Sequence, residues 1–181
     1  YPIKLIVDGY CGPYTIIDSI IVLPVPIAAF TTRADSACLG SNILFTNNST
    51  LGSIYNWTFG GGIPTTSNAY TPVPVLFNPV GNHTITLTVG IPGCTNLDSK
   101  IITIKPKPSP AFTLSTTSGC SPLQVAFNYN GVAVGGDTYN WILGDGTTST
   151  SQNPQNEIYT ANAHDSTYTV KLIVTNAAGC I

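Results

Sequence analysis

The feature that most constrains this chain is an internal echo. Cys38, Phe45, Tyr55 and Trp57 reappear as Cys120, Phe127, Tyr139 and Trp141, at offsets of 82 to 84 residues. The run His83-Thr84-Ile85-Thr86-Leu87-Thr88-Val89 reappears as Tyr168-Thr169-Val170-Lys171-Leu172-Ile173-Val174, and again at the opening of the chain as Tyr1-Pro2-Ile3-Lys4-Leu5-Ile6-Val7. A period this long repeats whole domains, because solenoids built of single supersecondary units recur at about 20–50 residues. The copies are out of phase with the chain, which reads as a window on a longer array.

The local pattern says what kind of domain repeats. Ile3, Leu5 and Val7 alternate with their neighbours, as do Ile85, Leu87 and Val89, and Val170, Leu172 and Val174. Period two predicts strands with one buried face. Residues 20–23 and 101–104 read as more fully buried or terminal strands. Asn47-Asn48-Ser49-Thr50, Gly60-Gly61-Gly62 and Gly135-Gly136-Asp137 read as turns. No segment carries a capped 3.6-residue apolar period, so the expected fold is all-β, built of antiparallel sandwiches.

Two Pro-rich junctions, Pro24-Val25-Pro26 and Pro106-Lys107-Pro108-Ser109-Pro110, punctuate the repeat. Proline fixes φ and favours stiff, extended linkers. Each junction leads into a similar strand start, Ala28-Ala29-Phe30 or Pro110-Ala111-Phe112. The expected pieces are residues 1–24 (the last strands of a domain), 25–106 (a complete domain) and 107–181 (a domain lacking its last strand). A lone hairpin is marginal in water, so residues 1–24 call for the upstream part of their own domain or for another partner. The strand type that 107–181 lacks is present in 1–24, so strand exchange between chains is open in principle.

Composition removes several functions. Charged residues make up only 8% of the chain, against about 25% in an ordinary soluble domain. Surface polarity must come from Thr, Ser, Asn and Gly. The net charge is −2 and the Lys and Arg residues do not cluster, which argues against nucleic acid as a partner. No run of about 18 apolar residues predicts a membrane-spanning helix; the apolar stretch 14–23 is short and interrupted by Asp18.

The five cysteines follow the repeat. Cys38 and Cys120 precede strands, whereas Cys11, Cys94 and Cys180 follow the closing strands. Four cysteines allow three connectivities, which sequence alone does not decide. The repeat favours pairing within each domain, Cys38 with Cys94 and Cys120 with Cys180, leaving Cys11 unpaired in this window. Such bonds would place the chain in an oxidising compartment. Reduced core thiols are the other reading. No Cys-x-x-Cys spacing or His cluster suggests a metal.

The sharpest motif is Tyr139-Asn140-Trp141-Ile142-Leu143-Gly144-Asp145-Gly146, matched by Tyr55-Asn56-Trp57-Thr58-Phe59-Gly60-Gly61-Gly62. The alternating Tyr, Trp and Leu or Phe share one strand face, and the glycines permit a tight turn at positive φ. The motif resembles the hallmark strand and turn of the PKD domain family. Gly119-Cys120-Ser121-Pro122, Val125, Phe127, Asn153-Pro154, Tyr159, the strand at 168–174, Asn176 and Gly179 extend that resemblance. The second copy departs from it, with Gly61 in place of the Asp and His83 in place of the Tyr. The resemblance implies tandem immunoglobulin-like sandwiches with Tyr55, Trp57, Tyr139 and Trp141 in their cores, in extracellular or surface proteins that act as spacers, adhesins or binding modules. In style the chain is similar to giant surface proteins of Bacteroidota, gliding-motility adhesins among them.

Little here predicts chemistry. Hydrolases assemble a nucleophile, a base and an orienting group, yet the only histidines are His83, at a strand start, and His164, in a polar loop. Asp145, near Asp137 or Glu157, is a candidate calcium ligand, but calcium takes six to eight oxygens and the matching turn of the second copy offers only glycines. Turn geometry is the better reading of Asp145, and no catalytic, metal or cofactor residue is expected. Asp18-Ser19-Ile20, Asp35-Ser36-Ala37 and Asp165-Ser166-Thr167 resemble a Bacteroidota O-glycosylation motif at Ser19, Ser36 and Ser166. The expected function is a non-catalytic structural or adhesive segment of a long cell-surface protein or filament. Its partners would be neighbouring domains of the array and surface glycans or other proteins. The alternative is an accessory carbohydrate- or protein-binding module of a secreted hydrolase whose catalytic domain lies elsewhere.

Overall fold

The computed structural model describes residues 1–161 and 164–181. All regular elements among them are strands: β1 (Pro2–Gly9), β2 (Gly12–Ser19), β3 (Phe30–Thr32), β4 (Ser36–Cys38), β5 (Asn42–Ile43), β6 (Phe45–Asn47), β7 (Ile54–Phe59), β8 (Gly62–Ile63), β9 (Thr66–Ser67), β10 (Val75–Phe77), β11 (Gly81–Ile91) and β12 (Cys94–Lys105), followed by β13 (Phe112–Leu114), β14 (Leu123–Val125), β15 (Phe127–Tyr129), β16 (Thr138–Ile142), β17 (Thr148–Ser149), β18 (Glu157–Tyr159) and β19 (Lys171–Thr175). The fold is all-β, as the alternating pattern predicts.

The chain forms two compact units. The first gathers Tyr1–Arg33, Ile43–Val75 and Thr84–Ile101; the second gathers Ala34–Asn42, Leu76–His83 and Ile102–Ile181. These units do not follow the sequence repeats, because short pieces of the 25–106 repeat group with the 107–181 repeat.

In the first unit, β3 pairs with β6 so that Phe30 lies opposite Asn47 and Thr32 opposite Phe45. A second sheet places β7 between β11 and β9, with Leu87 opposite Trp57 and Ile85 opposite Phe59. Aromatic side chains join the two layers. The Phe30 ring meets Trp57 edge-on at 5.2 Å between centroids, and Phe45 lies 5.1 Å from Phe59. Edge-to-face and tilted pairs of this kind add about 0.5–1.5 kcal/mol beyond the area they bury.

The second unit repeats that arrangement. β13 pairs with β15, and β16 lies between β17 and β19, with Trp141 opposite Leu172 and Tyr139 opposite Val174. Phe112 meets Trp141 edge-on at 4.9 Å and Phe127 lies 5.3 Å from it. Val125, Tyr129, Leu143, Tyr159, Leu172 and Val174 are the other buried members of this core. In the same unit β4 runs parallel to the end of β12, with Cys38 opposite Lys105.

One expectation needs correcting. Period two in residues 3–7 predicts a buried face, and the equivalent Ile85, Leu87 and Val89 of β11 are indeed fully buried. The hairpin of β1 and β2, in register from Pro2 opposite Ser19 to Gly9 opposite Gly12, is exposed at every position. Alternation marks the face a strand can bury. Burial itself needs a second layer, and no described residue covers this hairpin.

Candidate functional site

The aromatic–glycine motif is a core and turn device in both repeats. Trp57 and Trp141 are about 1% and 0% exposed. Each indole N–H donates to a backbone carbonyl, Trp57 to Ala69 at 3.0 Å and Trp141 to Ser151 at 2.8 Å. These bonds satisfy the one polar atom of a large apolar anchor. Tyr55 and Tyr139 are half-buried, the former donating its hydroxyl proton to the Gly52 carbonyl at 2.7 Å.

At the turn after Trp141, Gly144 and Gly146 adopt φ of 87° and 94°. A Cβ on Gly144 would stand 2.6 Å from the Thr169 carbonyl oxygen, so side-chain freedom and space both demand glycine there. Asp145 accepts hydrogen bonds from the Thr147 hydroxyl at 2.6 Å and the Thr147 amide at 2.9 Å. Those bonds hold its carboxyl below the usual carboxylate range. Its carboxylate therefore braces a turn. Among the described residues no group of three or more His, Cys, Asp or Glu side chains is arranged to hold a metal ion.

The remaining candidates scatter. His83 is buried, its Nε2 2.9 Å from the Pro79 carbonyl and its ring 5.1 Å from Phe77, which is a packing position. His164 is exposed. Ser19 and Ser166 are exposed, whereas Ser36 is half-buried within β4.

The cysteines give the principal correction. Cys38 is bonded to Cys180, with 5.6 Å between their Cα atoms and a sequence separation of 142; Cys11, Cys94 and Cys120 are free thiols. The expected pairs, Cys38 with Cys94 and Cys120 with Cys180, do not form. The reason lies in the register of β12. Cys38 lies opposite Lys105, at the far end of the strand that Cys94 begins. Eleven residues of strand span about 36 Å, and a disulfide needs Cα atoms within about 7 Å.

Polar groups around the Pro-rich junction set the observed bond. The Leu39 amide donates to the Lys105 carbonyl at 2.8 Å, which fixes the end of β4. Asn176, buried, donates through Nδ2 to the Pro106 carbonyl at 2.9 Å. Its Oδ1 accepts from the amides of Ala178, at 3.0 Å, and Cys180, at 2.9 Å. One side chain thus ties the junction to the turn that carries Cys180. Asn176 had a place in the family resemblance, but spacing alone gave no sign of this bridging role.

A groove of about 490 Å³ opens on the 107–181 repeat, lined by Leu114, Gly119, Leu123, Tyr159, Tyr168 and Val170 among others. Phe127 and Tyr159 of the core are part of its lining. Tyr159, 8% exposed, donates its hydroxyl proton to the Leu143 carbonyl at 2.9 Å. Burial, with the nearby Asp145 and Glu157 carboxylates, pushes its pKa up to about 12.

The two layers, the aromatic pairs across them and the stapled junction define a class of all-β, immunoglobulin-like sandwich. Within it, residues 106–181 match the family model described as PKD domain. No curated protein matches the sequence. Among solved structures, one of carbohydrate-binding modules from the β-sandwich superfamily aligns over 83% of this chain and 84% of its own, at 18% identity and a TM-score of 0.42. Murine CEACAM1b aligns over 83% of this chain and 93% of its own, at 10% identity and a TM-score of 0.34.

Proposed function

We propose that this chain is a non-catalytic structural or adhesive segment of a long extracellular surface protein, built from serial PKD-like sandwiches with borders near residues 25 and 107. The carrying observation is the Cys38–Cys180 bond, which joins a residue of the 25–106 repeat to a residue of the 107–181 repeat. A disulfide of this kind belongs to an oxidising compartment. Under tension it also limits how far the chain can be drawn out. The sequence separation of 142 that it bridges represents about 480 Å of extended chain, and none of that length is released while the bond holds. Neighbouring repeats and surface glycans or proteins are the partners this reading supplies, with gliding-motility adhesins as its nearest style.

Single-molecule stretching of the chain from its two ends tests the reading. Under oxidising conditions the enclosed length should stay hidden, and addition of a reductant should release it. Release of that length without reductant, or tight binding of a soluble polysaccharide by a chain that bears no load, would replace this reading with that of an accessory binding module.

A further inference from the structure

The Cys38–Cys180 bond is one member of a set that the repeat writes twice. Cys120 stands at the position equivalent to Cys38, and it is an exposed free thiol. In the 25–106 repeat the bonded cysteine ends β4, and β12 lies between β4 and β11. On β12, Ile102 and Ile104 are each about 1% exposed. In the 107–181 repeat the counterparts of β4 and of the start of β11 are residues 118–120 and 166–170. Among the described residues no strand lies between them, and the groove opens there instead, with Gly119 and Ser121, the two neighbours of Cys120, in its wall.

Burial carries the same imprint. Val170 and Tyr168 are only partly buried, whereas their counterparts Ile85 and His83 are 0% and 8% exposed. The strand itself is shortened: β19 covers Lys171–Thr175, where β11 runs over Gly81–Ile91. The groove therefore has the walls of a strand slot, and the exposed Cys120 stands in the chain between two of its lining residues.

We propose that Cys120 is the next link of a serial staple. It forms a disulfide with the cysteine that stands, in a following repeat, where Cys180 stands in this one, once a strand of the β12 type fills the groove. This rests on the array reading above. The slot supplies register, since a β12-type strand beside 118–120 brings its end level with Cys120, as Lys105 lies opposite Cys38. A following repeat then delivers its own cysteine to that end through the Asn176-type bridge. Bond formation takes two protons and two electrons from the two thiols. A disulfide oxidant, protein-borne or small, accepts them and leaves as its dithiol.

The test is a chain in which residues 1–180 are followed directly by a second copy of 95–181. Cys180 begins a hairpin there as Cys94 does before β12, and the appended copy carries a β12-type strand, the junction and one more closing cysteine. Non-reducing peptide mapping after alkylation should show Cys38 joined to the first Cys180, Cys120 joined to the second, and loss of alkylation at Cys120. Changing the appended Cys180→Ser should restore that alkylation. An intact Cys38–Cys180 bond beside a still-alkylated Cys120, or Cys120 joined to Cys94 or Cys11, would overturn the proposal. Should the extended chain fail to form the Cys38–Cys180 bond, disulfide mapping of the protein isolated from its source decides, and a reduced Cys120 beside a following repeat is then the overturning result. A source protein without further repeats would sink the array reading and the link together, whereas a reduced Cys120 beside a following repeat sinks the link alone.

Discussion

At the scale of single residues, the two tryptophans concentrate the cohesion of their sandwiches. Trp141 is wholly buried, meets two phenylalanine rings and donates to Ser151. Truncating such a side chain costs about 3–5 kcal/mol, so Trp141→Ala should lower the unfolding free energy of the second unit by that amount, in urea titrations read by tyrosine fluorescence. Tyr159 makes a different prediction. Its folded-state pKa of about 12 exceeds the ordinary tyrosine value near 10. A folded pKa raised in this way gives stability that is complete below pH 10 and is lost as the pH climbs towards 12. Urea midpoints measured across that window should fall, and Tyr159→Phe should flatten the fall. Some slope should remain, because burial also raises Tyr129.

At the scale of elements, the hairpin β1–β2 and the strand β11 carry similar sequences and opposite surroundings. Ladder bonds without a packed face open readily. Amides of β1 and β2 should exchange with deuterium well before those of residues 85–89, and equal protection of both sets would show that the hairpin is covered in solution. This contrast also shows what the sequence makes legible. Alternation at Ile85, Leu87 and Val89, the Tyr-x-Trp spacing and the glycines after it are local signals, and they sufficed for the strands, the core and the turn. The partner of Cys38 was not local. It depends on the parallel register of β4 against β12 and on Asn176 reaching Pro106, and pairing within one repeat was the simpler rule that those long-range placements overrode. The groove was not legible in the sequence, because its lining comes from segments as far apart as Leu114 and Val170.

At the scale of the whole molecule, the single disulfide dominates. In the chain-entropy account, closing a loop of 142 residues stabilises by about 5 kcal/mol. Cys38→Ser, or reduction of the unmodified chain, should therefore lower the thermal midpoint of the second unit measured by calorimetry. Cys94→Ser should leave it where it is. An unchanged midpoint on reduction would mean that the polar junction around Asn176 holds without the bond.

That same bond changes what a protease can do to the molecule. A cut anywhere between residues 39 and 179 falls inside the loop that Cys38 and Cys180 close. The two fragments stay attached and separate only on a reducing gel. For a chain exposed to the enzymes of its surroundings, one break in that span would be damage without severance.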